Sequence, residues 1–483
     1  MQKLYKTTQL VNNEDLFFNS FSVSIEGNRG VWLAGEFDTD DEVYYFNGSE
    51  VAQITDNNGS ELSPQIFQDN VLWLGTLDNV GSTQEIFTYD GESTVSTDGG
   101  DGISIDNLRG DGGSIFYTGT SGTGGILGNN NGEFVEIPIV VDDVVTISSN
   151  VDVSTNRVVW SQVTENEETL ARDSEIFLYN GTETVQITDN RIRNDEPKVA
   201  GDFVVWIGQE ETDTEIFLYD GNTTTKVTDN DVNDSNAVVS NTGLVAWEDQ
   251  ENIYVYQNGT TTTLDLKESA GDDIYLDAGE NDIFISANSG LYSFDGEDLN
   301  QISSENPLFF DVSGENIIWA NPSAHTITLA IPYAPNTVFR FLNTDTGVHF
   351  YTSSVEEAKN TIDNFDNYTF EEGSYVGIDP LTGQQEPSSV YRFLNLDTGV
   401  HLYTISEAER DAVQQLNNYS FEGESFFAYE TEVEGTIPVY RFFNPTTGAH
   451  FYTSSASERD NVGANLPDYQ SEGIAYYVLP SEI

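Results

Sequence analysis

Through the first two thirds of the chain, short apolar or alternating runs follow one another, divided by turns rich in Gly, Asn and Asp. A period of two is the mark of a β-strand with one buried face. EIFLYNG (175–181) and EIFLYDG (215–221) alternate in this way and end in Asn-Gly or Asp-Gly, the pairs that tolerate the two positive φ angles of a type I′ hairpin. Before them come runs ending in Trp, such as VLW and VVW, apolar throughout as in a strand buried on both faces. After them come TVQIT and TTKVT, polar and Thr-rich as an outer edge strand should be. All six tryptophans (Trp32, Trp73, Trp160, Trp206, Trp247, Trp319) fill one slot of this pattern, and apolar stretches around Phe116 and Phe284 fill its two wide gaps. The pattern predicts about eight four-stranded units, with seven as the alternative, at a spacing of about 35–46 residues, which is that of propeller blades. The last unit, at Trp319, lacks a fourth strand. KLYKTTQL (3–10) has the missing pattern and is expected to close the ring.

After Pro332 and Pro335 the pattern changes. VFRFLNTDTGVHFYTSS (338–354), VYRFLNLDTGVHLYTIS (390–406) and VYRFFNPTTGAHFYTSS (439–455) open three units. Each continues into a helix-like stretch and ends at Tyr plus Glu-Gly: Tyr368 with Glu372-Gly373, Tyr419 with Glu422-Gly423, Tyr469 with Glu472-Gly473. Ser354/Glu357, Ser406/Glu409 and Ser455/Glu458 fit the capping box, in which the two side chains satisfy orphan amides reciprocally. Ala412 and Leu416, one turn apart, form a face that can pack inward. A single unit cannot bury its own face, so three are expected to close around a pseudo-threefold axis. The fold class is therefore mainly β: a β-propeller over 1–333, then a module over 334–483 of three strand-strand-helix-strand repeats (338–380, 390–430, 439–480).

The segments ITDNNGSELSPQIFQDNVLWLGTLDNVGSTQEIFTYDG (54–91) and ITDNRIRNDEPKVAGDFVVWIGQEETDTEIFLYDG (187–221) resemble TolB-type propeller repeats, whose mark is ITDN…SP…W leading into an EIF-like strand. The resemblance covers about 1–333. It implies a propeller with a protein or peptide partner and no fixed chemistry. Residues 337–480 closely resemble a secreted bacterial and fungal domain of unknown function built from YRFxNxxTGxHFYT repeats. That resemblance implies an extracellular protein, and some bearers of the domain are cell-wall lytic enzymes.

Charge narrows the partners. With 82 acidic against 17 basic residues the net charge is −65, which repels phosphate backbones and anionic headgroups and excludes nucleic acid as a partner. Such a surface suits a salty medium and hard cations, Ca²⁺ foremost. There is no cysteine, hence no disulfide, thiolate metal site or thiol nucleophile. No run is long and apolar enough to insert in a membrane, and the N-terminus lacks the apolar core of a signal peptide. Export is then expected by a signal-less route, or with a leader that precedes this sequence.

Candidate ligand residues cluster in the repeats: Arg340, His349 and Tyr351; Arg392, His401 and Tyr403; Arg441, His450 and Tyr452. A turn from Leu396 to Gly399 places Arg392 opposite Tyr403 and Leu394 opposite His401 on one sheet face, with Tyr391, Phe393 and Leu402 on the other. A face with a guanidinium fork, an imidazole and an aromatic plane has what sugars require. The alternative is that the trio only fixes the repeat's geometry. A zinc site formed by the three histidines would need their rings gathered at the axis. For calcium, Asp229, Asp231, Asn233 and Asp234 open like an oxygen-ligand loop but depart from the EF-hand at its sixth and twelfth positions. Asp38, Asp40 and Glu42 form a similar, weaker cluster. No catalytic residue is singled out: G-x-S-x-G, H-E-x-x-H and the P-loop are missing from the sequence. The sequence reads first as a bacterial cell-surface or secreted binder of glycans or a cell-surface polymer. Second comes a protein–protein scaffold working through the propeller face, and third a polysaccharide-degrading enzyme.

Overall fold

The structure is a computed structural model describing residues 3–13, 16–17, 23–36, 40–67, 70–76, 85–97, 105–111, 114–119, 125–130, 133–137, 145–165, 172–190, 192–266, 274–287, 289–307, 309–382 and 385–481. Between 98 and 150 only the backbone is described. The chain divides into two compact units: Thr7–Ile331, and Pro332–Ile483 together with Gln2–Lys6.

The first unit is an eight-bladed β-propeller. Its blades are sequential antiparallel sheets of four strands, except the first, where the short Leu16–Phe17 and Val23–Glu26 both pair with Arg29–Glu36 to give five. Blade 5 is typical, with strands Arg193–Ala200, Phe203–Gln209, Thr214–Tyr219 and Thr224–Lys226. The first strand of each blade packs on that of the next, and the strand Phe309–Ser313 of blade 8 returns to Val23–Glu26 of blade 1. The ring is thereby closed. As the sequence pattern predicts, the fourth strand of blade 8 comes from the chain's start: Tyr5–Asn12 pairs with Thr326–Pro332.

Tryptophan holds the blades together. All six are at most 2% exposed. Five stack on an aromatic ring of the next strand at centroid distances of 5.5–6.3 Å, Trp206 on Phe217 among them. Burying the indole ring is favourable, while its N–H needs an acceptor. Trp206 Nε1 donates to Asn194 Oδ1 (3.1 Å), Trp247 Nε1 to Asp234 Oδ1 (3.1 Å) and Trp319 Nε1 to Glu305 Oε2 (2.9 Å).

In the second unit each repeat is strand, strand, helix, strand, with the first strand central in a three-stranded sheet. The helices are α1 (Val355–Asn364), α2 (Glu407–Val413) and α3 (Ala456–Asn465). Each starts at the serine of the expected capping box, whose Oγ accepts from the backbone N–H of Glu357, Glu409 or Glu458 at 3.2 Å. The inward helix face differs from expectation. Ala412 and Leu416 are exposed, and the side chains buried under α1, α2 and α3 at one repeated position are Thr361, Val413 and Val462. The reason is helix length: α2 ends at Val413, so Leu416 lies beyond its last turn.

Candidate functional site

The register of the second repeat is the expected one, with Arg392 opposite Tyr403 and Leu394 opposite His401. Phe393, Leu402 and Val413 seal the other face against α2. What the Arg–His–Tyr face meets, however, is protein. Tyr351, Tyr403 and Tyr452 are 1%, 1% and 0% exposed. Their rings meet edge to face, with centroids 5.6–5.7 Å apart, on the pseudo-threefold axis. Each hydroxyl donates to a neighbour's backbone carbonyl: Tyr351 to Tyr452 O (2.7 Å), Tyr452 to Tyr403 O (2.8 Å), and Tyr403 to Tyr351 O. The circle closes on itself. A sugar platform needs an open ring face, and these have none, so the tyrosine platform expected from sequence is withdrawn in favour of the scaffold reading. The axis that a three-histidine zinc site would require is filled by these rings.

The arginines join the repeats in the same cyclic order. Arg340 pairs with Glu458 of α3 (2.9 Å), Arg392 with Glu357 of α1 (2.6 Å) and Arg441 with Glu409 of α2 (2.8 Å). The second arm of each arginine meets a glutamate of its own repeat, Glu371, Glu422 or Glu472, at 2.8 Å. Those glutamates also face His349 (3.1 Å), His401 (3.4 Å) and His450 (3.5 Å). The capping-box glutamate is thus committed to the next repeat's arginine. The helix N-cap amides of Ser354, Ser406 and Ser455 turn instead to the hydroxyls of Thr352, Thr404 and Thr453 at 3.0–3.1 Å. In the first repeat it is Glu371, and not Glu372, that corresponds to Glu422 and Glu472. Glu372 takes a left-handed conformation (φ 68°) at the place of Gly423 and Gly473.

These pairings make the module sensitive to acid. Burial first, then the Arg441 charge, push the His450 pKa down to about 4 from an ordinary 6.5. A folded-state pKa below the unfolded one gives stability that is full above 6.5 and is lost as pH falls toward 4. For a mostly buried ring the loss is on the order of 3 kcal/mol. Glu371 and Glu422 are held below their ordinary value, chiefly by hydrogen bonds from His349 and His401, and their contribution disappears in the same direction. Calorimetry of the full chain from pH 7 to 4 is expected to show the module's transition falling steadily. A transition at constant temperature over that range contradicts it.

The calcium loop expected at 229–234 does not converge. Asp229 bonds Lys226 Nζ (2.6 Å), Asn233 Oδ1 accepts from Thr214 N (3.1 Å), and Asp234 is buried on Trp247 Nε1; Asp231 stands exposed among them. Asp229, Asn233 and Asp234 thus bond the scaffold, and Asp231 faces solvent. Among the described residues Glu210, Glu215 and Asp229 do come together, but the Lys226 ammonium sits among them at 3.0, 3.5 and 2.6 Å and supplies the positive charge. Asp38 of the weaker cluster lies outside the described residues.

A site missed at the sequence level lies at the propeller's centre. The first strands of the blades enclose a cavity of about 690 Å³. In blades 4, 5, 7 and 8 the residue at one equivalent position of this strand lines it: Asp152, Lys198, Asp277 and Asp311. Two of the aspartates clip neighbouring blades together: Asp152 Oδ2 accepts from Val199 N (2.9 Å) and Asp311 Oδ2 from Ile25 N (2.8 Å). Asp277 accepts only locally, from Ala278 N (2.8 Å). Its pKa is raised, first by burial and then by the Asp311 carboxylate. Beside them Tyr275, 42% exposed, meets Phe309 and Phe310 edge to face at 5.4 and 5.8 Å. Carboxylates beside an exposed aromatic ring can hold a cation by charge and by its attraction to the ring face.

Residues 337–479 match the family described as Domain of unknown function (DUF5648). No curated protein matches the chain. Among solved structures it is similar to the β-propeller domain of the Trilobed protease from Pyrococcus furiosus, with 12% identity over 58% of this chain and 98% of that one, at a TM-score of 0.40. It is also similar to the computationally designed Ika8 protein, with 13% identity over 68% and 99% at a TM-score of 0.40. A third is Porphyromonas gingivalis dipeptidyl peptidase 4, with 11% identity over 69% of this chain at a TM-score of 0.41. The chain spans 57% of that peptidase's length. The propeller assignment rests on the sheet order and the closed ring described above.

Proposed function

We propose that the protein is an extracellular binding protein whose propeller channel receives a basic segment of a protein partner, with the C-terminal repeats as a self-contained structural module. One observation carries this reading: a cavity of about 690 Å³ in the closed ring, where the carboxylates of Asp152, Asp277 and Asp311 outnumber the Lys198 ammonium, 3.4 Å from Asp152, beside the exposed Tyr275 ring. Charge complementarity selects a lysine- or arginine-bearing occupant. The TolB-type character of the repeats, which implies a protein or peptide partner, belongs to the same proposal. So does placement outside the cell, where salt screens a net charge of −65.

The test is calorimetric titration of a lysine-rich peptide into the full chain, at low and high salt, against Asp277→Asn and Tyr275→Ala. Asp277 clips no neighbouring blade, so its amide variant should fold. Saturable binding that weakens about tenfold in either variant supports the reading, a loss typical of one desolvated contact. Diffuse attraction to the acidic surface would ignore one charge among so many. Binding indifferent to both substitutions, or no binding, overturns it.

A further inference from the structure

Comparison of equivalent positions in three blades isolates a buried charge excess in one of them. In each, a glutamate in the first half of the third strand accepts from the backbone N–H of the TDN-loop asparagine: Asn57 to Glu42 (3.1 Å), Asn190 to Glu175 (3.1 Å) and Asn230 to Glu215 (3.0 Å). The amide of that same asparagine then bonds the residue four positions on: Glu61 (2.7 Å), Asn194 (3.0 Å) or Asp234 (3.0 Å). At Asn194 this residue is itself an amide. It donates to Ser174 O (3.0 Å) and accepts from Trp206, so a single carboxylate is present. At Asp234 a second carboxylate appears. It accepts from Trp247, and Lys226 stands 3.5 Å from Glu215.

At Glu61 the second carboxylate has neither compensation. Where blade 5 has Lys226, blade 1 has Gln53, whose amide is engaged with Thr55 O at 2.8 Å. Glu61 is 4% exposed and Glu42 9% exposed. Asn57 holds one oxygen of each, which leaves Glu61 Oε2 buried with no hydrogen-bond donor. Asp40, two residues before Glu42, also has a buried oxygen without a donor, Oδ2, and its charge acts on Glu61. Buried carboxylate oxygens with no donor are costly unless a cation or proton meets them.

We infer that Glu42 and Glu61, whose Oε2 atoms are both buried without a donor, form the carboxylate pair of a divalent-cation site between blades 1 and 2, with Ca²⁺ as the ion that fits. The donors are all carboxylate oxygens, which suit a hard cation, and Ca²⁺ accepts irregular geometry and completes its shell with carbonyls and water. Imidazole- or thiolate-seeking metals find no ligand of their kind here. The site takes the role that Lys226 plays in blade 5: it neutralises two buried carboxylates by an ion where the other blade uses an ammonium.

The test uses the full chain in calcium-free buffer at constant ionic strength, titrated with Ca²⁺ by calorimetry. Glu61→Asn rebuilds the arrangement at Asn194, and Glu61→Gln keeps the side-chain length. Glu210→Gln alters the lysine-neutralised cluster as a control. The wild type and the control are expected to bind one equivalent of Ca²⁺ more tightly than the background of exposed carboxylates, and to melt at a higher temperature with Ca²⁺ than with Na⁺. Both Glu61 variants should lose that equivalent by about tenfold or more in affinity, and melt no lower than the calcium-free wild type. A wild type with no saturable uptake overturns the proposal, as do Glu61 variants that bind like the wild type.

Discussion

Tyr452→Ala is expected to unfold the C-terminal repeats or bring them close to unfolding. The ring is 0% exposed and lies edge to face against both Tyr351 and Tyr403. Truncating a buried aromatic side chain typically costs about 3–5 kcal/mol. Here the Tyr403 carbonyl also loses the hydroxyl at 2.8 Å, and the Tyr403 backbone N–H loses its acceptor, the Tyr452 Oη at 3.0 Å. An unmet buried donor or acceptor adds roughly 1–3 kcal/mol each. For a module of this size that sum approaches the whole stability. Tyr452→Phe keeps the ring and removes only the hydroxyl, so it should retain the fold with a lowered transition. Scanning calorimetry of the full chain reads both variants. An Ala variant melting like the wild type would mean that the rings stand open on the surface, as a sugar platform requires.

Trp206→Ala should have the second-largest effect. Its indole is 1% exposed, stacks on Phe217 at 5.7 Å and ties the second strand of blade 5 to Asn194 of the first through a 3.1 Å hydrogen bond. The substitution leaves a cavity and an orphaned amide oxygen, with an expected cost of about 3–5 kcal/mol. Because each blade packs on two others, the loss should lower the propeller's unfolding as a whole and not release blade 5 alone. Guanidinium titration followed by the fluorescence of the other tryptophans checks this. A surface substitution such as Val95→Thr, at a side chain 59% exposed, should change stability by less than about 0.5 kcal/mol. Equal effects from the two changes would contradict the role given to the Trp slot.

The propeller was legible in the sequence because one slot repeats: Trp in a strand apolar on both faces announces itself in every unit where it is kept. The closing strand was legible by subtraction, since only KLYKTTQL matched what the last unit lacked. The repeats' register followed from turn length alone. Their chemistry was less open to reading. Arg392, His401 and Tyr403 share a face, as period-two alternation requires, but alternation cannot say whether a face meets water or two further copies of itself. The one sequence sign was the capping-box glutamate in step with the arginine in all three units. The channel aspartates did leave a trace, VDVS at 151–154 and FDVS at 310–313, at equal places in two units. That trace is hidden because a single polar residue in an apolar strand usually marks only an edge. Glu61 could not be recognised at all without knowing that Asn57 brings it to Glu42.

The strand that completes blade 8 bears on how the chain reaches its folded state. Tyr5–Asn12 leaves the ribosome well before its partner Thr326–Pro332, which follows about 300 residues later. At ordinary rates of synthesis, roughly 5–20 residues per second, the gap is tens of seconds. Throughout that time the strand carries an unpaired backbone edge, the kind of template on which other chains aggregate. Its sequence suits the wait: of the 17 basic residues in the protein, Lys3 and Lys6 fall within KLYKTTQL, and lysine on an edge deters adventitious pairing. Closure must also overcome the entropy of a very long loop, which makes it a late and slow event. Until it occurs, the ring is a row of blades with two open ends.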